Sequence, residues 1–424
     1  MDSTRRQMLQ GMLAAAAINW PAASRAASPV PIPVSAPGEF EPQDYIWLAW
    51  VERGFFGSAP FSSVALEVMK VITPHVRVRL LHSGQLPRPT GRWEPPLLSR
   101  QESEARVRSI LASAGVDLSR VELIYNERVY ASIQDPGPFF LRTSTGGLAL
   151  ADYHFKHPDP RAEAIDRTIA AELGLPTIRS ELVSEGGGRQ SNGRGTLLLV
   201  RAVEQARNPR WPIADIEREH LRMHGAGKVV WLEQGPADEE WGKLADGRWG
   251  IGTGGHVDVF ARFADSSTVL LAQVSPAQRR KYPILAQTHA RMERNHELLR
   301  AATDQDGKPF RILRVPVPDP LTATVRYDDL SPEERSWFEG SRPGETIEYY
   351  LPAGYLNFII ANGVVVTARL HEPGRPERLR ETDRQARAAL QRAFPGRKIA
   401  QVGVTPLLHD GAGLHCHSRN QPAI

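Results

Sequence analysis

The sequence contains one cysteine, Cys416, in the segment Gly411-Ala412-Gly413-Leu414-His415-Cys416-His417-Ser418. A lone cysteine forms no disulfide within the chain and no Cys-x-x-Cys zinc site. It is either an inert core thiol, the commoner case because free cysteine is among the most buried residue types, or a nucleophile. The glycines ahead of it let the backbone come close to a ligand. In an extended chain Cys416 faces away from His415 and His417, which argues against a compact three-ligand metal site. Four further segments carry unusual polar residues beside turn chemistry. In Gly252-Thr253-Gly254-Gly255-His256-Val257-Asp258, an extended backbone puts His256 and Asp258 on one face, a general acid/base beside a carboxylate, with Val257 and Val259 toward the core. A purely structural His–Asp pair or two metal ligands are the competing readings. Glu185 is followed by three glycines that leave the backbone beside it free of side chains, and Asn192-Gly193 follows as a hairpin turn. The lack of Lys-Ser/Thr and of Gly-x-Gly-x-x-Gly weakens a phosphate-loop reading. Asp135, in Gln134-Asp135-Pro136-Gly137-Pro138, stands at the end of an extended stretch or serves only the turn. Asn357 is a polar residue in the apolar run 355–367, broken by an Asn362-Gly363 turn. Left unpaired in a core it would cost about 1–3 kcal/mol.

In this order, the five segments resemble the agmatine deiminase and Porphyromonas-type peptidylarginine deiminase family, within the guanidino-group-modifying superfamily. The opening Pro37-Gly38-Glu39-Phe40-Glu41-Pro42, with Trp47-Leu48-Ala49-Trp50, and the ending Gly411 to Cys416 with Gln421-Pro422 are similar as well. The resemblance implies an α/β fold of the pentein type, a propeller of five pseudo-symmetric ββαβ-like units around a central site. It implies Cys416 as nucleophile, His256 as general acid/base and Glu185 as the residue orienting it. Asp135 and Asp258 would grip the substrate and Asn357 would line the pocket. The residue types suit the chemistry. A guanidinium is planar and cationic, and its N–H fork matches carboxylates. Held flat and charged, its central carbon stays open to a thiolate. The implied reaction is agmatine to N-carbamoylputrescine and ammonia, with no metal and no cofactor. Conversion of peptidylarginine to peptidylcitrulline, amidino transfer, and guanidino binding without turnover are the alternatives. Gln134 and Pro136 depart from the family's Arg-Asp-Thr-Gly-Pro, and no acidic residue occurs at 252–255, where the family commonly has one.

Something must position these residues. Strand-like runs at 76–82, 121–126, 196–200, 228–233, 268–274, 310–317, 355–367 and 398–408 alternate with helical patterns at 62–73, 99–114, 161–173, 212–224, 276–301 and 377–393. Such alternation without a composition break predicts one α/β domain. The stretches 83–96 and 327–346 are expected to be loops near the site.

The totals narrow the partners. The 424 residues are 41% hydrophobic and 24% charged, ordinary for a globular protein with a sizeable core. Residues 1–26 read as a twin-arginine export signal: Arg5-Arg6 is followed by a short apolar stretch and the small residues before Ala26. Residues 27–36 read as a linker, and 37–424 as the deiminase domain. Loss of the signal takes the formal net charge from +4 to +2, too small to argue for nucleic acid. No segment reaches membrane-spanning length. The expected partners are the export machinery, a small guanidino substrate or an arginine side chain, and, if the protein is a homo-oligomer, other copies of itself. The expected location is the periplasm or the medium.

Overall fold

The computed structural model describes residues 33–84, 98–127, 129–155 and 163–424. The expected export signal, most of the expected linker and all but the first residues of the stretch 83–96 lie outside them. Contacts gather Pro31–Ile424 into one compact unit.

The described chain is mixed α/β, with six sheets of three or four strands. Five of the sheets repeat one pattern, in which a first strand runs antiparallel to a second and the second runs parallel to a third. Phe139–Thr143, Leu148–His154 and Thr177–Val183 form one. Arg189–Ser191, Thr196–Val200 and Lys228–Leu232 form the next. Ala261–Phe263, Thr268–Gln273 and Arg311–Pro316 follow, then Ile359–Ile360, Val364–Arg369 and Lys398–Gly403. In the fifth, the C-terminal strand Ser418–Pro422 supplies the first position, beside Gln43–Ala49 and then Arg77–His82 and Val121–Tyr125. A parallel pair cannot be joined by a tight turn, so each crossover carries helix: Phe61–Ile72, Arg100–Ser113, Ile165–Leu173, Ile213–His224, Pro283–Ala301 and Arg378–Ala393. The second strands are covered on both faces, which is why Thr196–Val200 is buried throughout and reads as a continuous apolar run.

The sixth sheet also has an antiparallel and then a parallel pairing, but it closes on a further antiparallel strand. It pairs the hairpin Trp241–Lys243 and Trp249–Ile251 with Leu321–Arg326 and Thr346–Leu351. The stretch 327–346 between the last two strands is not a bare loop. It holds the short helix Pro332–Arg335, whose capping box is set by Ser331 and Glu334.

Three sequence expectations change. The helix expected over 276–301 is two helices, because Pro283 lacks an N–H and holds Tyr282 extended (φ −122°, ψ 111°). The run 355–367 is an irregular segment and then a hairpin, so Asn357 stands ahead of the strand Ile359–Ile360 rather than inside one. The run 398–408 is a strand only to Gly403 and then turns into the short helix Thr405–Leu408.

Candidate active site

Each of the five similar sheets delivers one of the segments singled out above, just ahead of its first strand. Asp135 precedes Phe139–Thr143, and Glu185 precedes Arg189–Ser191. His256 and Asp258 precede Ala261–Phe263, Asn357 precedes Ile359–Ile360, and Cys416 precedes Ser418–Pro422. Equivalent ends of five sheets thus bring residues as far apart as 135 and 416 to one place.

Gly187 marks the centre. A Cβ built on it would stand 2.7 Å from His256 Nδ1, 3.1 Å from Asp258 Oδ2 and 3.2 Å from Asp135 Oδ1. Glycine is required here by close approach, since any side chain would occupy the space the three polar groups face. The Gly187 N–H donates to Asp135 Oδ1 at 3.0 Å. His256 lies between two acids, with Nδ1 3.7 Å from Asp135 Oδ1 and Nε2 3.5 Å from Glu185 Oε2. Neither contact is a good hydrogen bond, and neither ring nitrogen has a hydrogen-bond partner among the described residues. The influence on the ring is therefore mainly charge. Burial alone would lower the His256 pKa, but Asp135, Glu185 and Asp258 outweigh it and raise it to about 9.

Glu185 is held from its other side. Its Oε1 accepts from Arg207 Nε at 2.6 Å, while the same guanidinium donates through its other arm to the Thr253 carbonyl at 3.0 Å. Arg207 thus ties the glutamate loop to the histidine loop and leaves Oε2 to His256. Burial would raise Glu185, yet His256 and Arg207 bring it down to about 2. Asp135 has no arginine bonded to it among the described residues, and burial, with Glu185 and Asp258, raises it against the pull of His256.

Cys416 is fully buried. Asn357 Nδ2 donates to its Sγ at 3.2 Å and to Asp258 Oδ2 at 3.0 Å. Asn357 Oδ1 accepts from the backbone N–H of His415 at 2.8 Å. The asparagine is fully employed, which removes the burial penalty expected for it. Burial pushes the Cys416 thiol well above its ordinary value, and Asp258 and Asp135 push it the same way. Asp258 Oδ2 also meets His415 Nδ1 at 2.6 Å. Asp258 Oδ1 has no hydrogen-bond partner among the described residues.

Backbone conformation corrects three expectations. Residues 257–259 form a 3-10 turn, not a strand; His256 and Asp258 still converge, because the turn and not the strand pleat aims them. Asp135 lies in the turn 133–136 that leads into a strand, rather than ending one. Residues 414–417 also form a turn, so His415 is not directed away. It bridges Asp258 and Glu39, with Nε2 2.8 Å from Glu39 Oε1. Glu39 is bonded in turn to Arg262. Burial would raise Glu39, but His415 and Arg262 hold it well below the usual carboxylate range.

Glu39, His415, Arg207 and the central role of Gly187 were not assigned from the residues. His415 had a signal in its adjacency to Cys416, which the assumption of an extended chain cancelled. Arg207, at the end of the helix Arg201–Arg207, has no local signal at all. Among the described residues, no group of three or more His, Cys, Asp or Glu is placed to hold a metal ion. No described helix is long and apolar enough to cross a membrane.

Residues 35–422 match the model of the family described as Porphyromonas-type peptidyl-arginine deiminase. An agmatine deiminase of Pseudomonas fluorescens is 26% identical over 404 residues, 91% of this chain and 95% of its own. The solved agmatine deiminase of Enterococcus faecalis superposes with a TM-score of 0.67 at 20% identity, covering 92% of this chain and 95% of its own. An agmatine deiminase of C. jejuni, solved with substrate bound, superposes with a TM-score of 0.65 at 18% identity, covering 92% of this chain and 96% of its own. At these identities the solved structures speak for a shared fold.

Proposed function

Because the chain belongs to the Porphyromonas-type peptidyl-arginine deiminase family, and with it to the hydrolases of C–N bonds, we propose that it deiminates agmatine to N-carbamoylputrescine and ammonia through a covalent intermediate on Cys416. The observation that carries the reading is the convergence of His256, Asp258 and Asp135 on Gly187, with Asn357 joining Asp258 to the Cys416 sulfur. The full burial of Cys416 and Asp258 favours a small substrate over a peptide. Relatives named agmatine deiminases align over nearly the whole chain.

The chemistry follows from the charges. Asp135 and the free Oδ1 of Asp258 receive the guanidinium fork, and its positive charge offsets the carboxylates that hold the thiol protonated. Cys416 releases its proton to solvent and attacks the central carbon, giving a tetrahedral adduct. His256, protonated because its pKa is about 9, gives its proton to the departing nitrogen. Ammonia leaves, and the alkylthiouronium remains on Cys416. The now neutral His256 takes a proton from water as the water adds to the same carbon, and collapse of that adduct breaks the C–S bond. The adduct's hydroxyl proton passes to the departing sulfur as the ureido product forms, and the thiol and the charged His256 are restored. Glu185 favours the charged form of His256, and Arg207 fixes Glu185.

The five sheets form, in this proposal, the pseudo-symmetric units of a pentein propeller, which their shared strand pattern supports. The domain spans 37–424. Residues 1–26 direct the protein through the twin-arginine machinery to the periplasm or the medium. The protein with its signal removed is assayed for ammonia and ureido product on agmatine, free arginine and an arginine peptide. Turnover of agmatine at the highest kcat/KM bears the reading out. Preference for the peptide gives the site to peptidylarginine, and ammonia release only with an added amine acceptor makes the enzyme an amidinotransferase. Fractionation of cells of the source organism tests the location.

A further inference from the structure

Three of the five first strands carry a buried arginine. Arg189 stands on Arg189–Ser191, Arg262 on Ala261–Phe263 and Arg419 on Ser418–Pro422, and they are 4%, 0% and 4% exposed. Arg262 is paired with Glu39, whose other partner is His415. The other two have only neutral partners. Arg189 Nη1 donates to the Ser184 carbonyl at 3.0 Å, and Arg419 Nε donates to the Pro138 carbonyl at 2.6 Å. Among the described residues neither forms an ion pair, and Nη2 of each has no hydrogen-bond partner. Neither Nη2 is among the unpartnered polar atoms sealed from accessible space, unlike Arg189 Nε.

Both arginines line one cavity of about 370 Å³, counting the part open to solvent. Phe139 is in the same wall, and both guanidiniums lie over its ring, with Cζ 5.3 and 4.4 Å from the centroid. The ring face offsets part of each charge, by about 0.5–2 kcal/mol, which is less than the several kcal/mol that burying an ion costs. Burial lowers the Arg419 pKa to about 9, with Glu39 and Asp135 pulling it up and Arg189 pushing it down. It is still charged at neutral pH. Glu39 also lines the cavity, but its charge is matched by Arg262 and His415. Gln43, Ser191 and Asn420 complete the polar wall, and each spends its donor on a backbone carbonyl.

We propose that this cavity is a binding site for a small oxyanion, a phosphate or a carboxylate, held by the guanidinium groups of Arg189 and Arg419. Two buried cations without a counter-charge repel a metal ion and favour an anion. A guanidinium offers a planar fork of N–H donors, which two oxygens of one anion match better than a spherical halide does. The site is distinct from the reacting centre, because the fully buried His415 stands between Glu39 in the cavity wall and Asp258. It does not depend on which guanidine the enzyme turns over. Two sources share the chemistry: inorganic phosphate and the carboxylate of a small organic acid.

The test is calorimetric titration with inorganic phosphate and, separately, with acetate, at constant chloride and without a guanidine. The protein is compared with its Arg189→Gln and Arg419→Gln variants. Saturable binding with a Kd of about 1 mM or tighter, weakened at least about 10-fold in each variant that folds, supports the site. Binding of phosphate alone assigns the inorganic ion, binding of acetate alone assigns an organic acid, and binding of both assigns a general oxyanion site. Binding of neither to the parent overturns the proposal, as does a folded variant that binds as tightly as the parent. If neither variant folds, a crystal structure of the parent at saturating anion decides. Anion density against both Arg189 and Arg419 supports the site, and its absence there overturns it.

Discussion

Glu185→Gln removes one charge beside His256 and keeps the shape of the side chain. His256 is buried, and its pKa rises from 6.5 to about 9. At 1.36 kcal/mol per pH unit, that is about 3 kcal/mol of preference for the charged ring, net of burial. A unit charge at the 3.5 Å that separates Glu185 from His256 contributes on the order of 5 kcal/mol at an effective dielectric of 20. One of the three carboxylates therefore carries as much as the whole net preference, and its loss also leaves Arg207 facing His256 without a counter-charge. The expected His256 pKa in the variant is about 7 or below. The sign for stability follows. A raised histidine stabilises the fold fully below 6.5, and the gain is lost as pH rises through about 9. The variant should thus lose up to about 3 kcal/mol of His256-linked stability near neutral pH, and this pH-dependent part should vanish above pH 9, leaving only the lost Arg207 pairing. Glu185, lowered from 4.5 to about 2, reports the same interaction from the other partner, so the two figures are not added. The assay is an NMR titration of carbon-labelled histidine, with the His256 resonance identified by its absence in His256→Gln. A variant pKa within one unit of the parent refutes the assignment of Glu185 as the group that keeps His256 charged.

The other predictions concern the reacting centre. Cys416→Ala abolishes ammonia release while calorimetry still detects agmatine binding; residual turnover would remove Cys416 as nucleophile. Asp258→Asn loses the charge that meets the guanidinium, so steady-state kinetics should show KM raised and kcat lowered, with kcat/KM down at least about 100-fold. An unchanged KM would place Asp258 outside the binding site. Gly187→Ala puts a methyl 2.7 Å from His256 Nδ1; displacement of the ring by a few tenths of an ångström to one ångström should cost about 100-fold in kcat/KM. Activity near that of the parent would mean that the space beside Gly187 is not where the substrate lies.

Much of the architecture was legible because burial imposes periodicity. The expected strand 196–200 is the observed strand Thr196–Val200, and the expected helix 377–393 differs from Arg378–Ala393 by one residue. Short first strands such as Arg189–Ser191 and Ile359–Ile360 were not recognised, since two or three residues carry no usable period. The segments brought together at the site were likewise legible, because glycine-rich turns flag polar residues beside them, while the roles of those residues came from the family resemblance. Their local conformations were not. His256, Asp258, Asp135 and His415 sit on turns whose form depends on partners far along the chain, as when Gln134 N–H donates to the Cys416 carbonyl at 2.9 Å.

The single cysteine, the order of the acidic, histidine and asparagine segments before it and the alternation of strands and helices are properties of the sequence itself, because they depend on residue type and spacing. Charge states are not. Whether His256 is protonated, whether Cys416 rests as a thiol, and which oxygen of Asp258 is left unmet depend on burial and on atoms a few ångströms away. Those neighbours come from other sheets, since electrostatic energy follows distance in space and not along the chain. Only the tertiary structure could place Arg207 behind Glu185 and His415 behind Asp258.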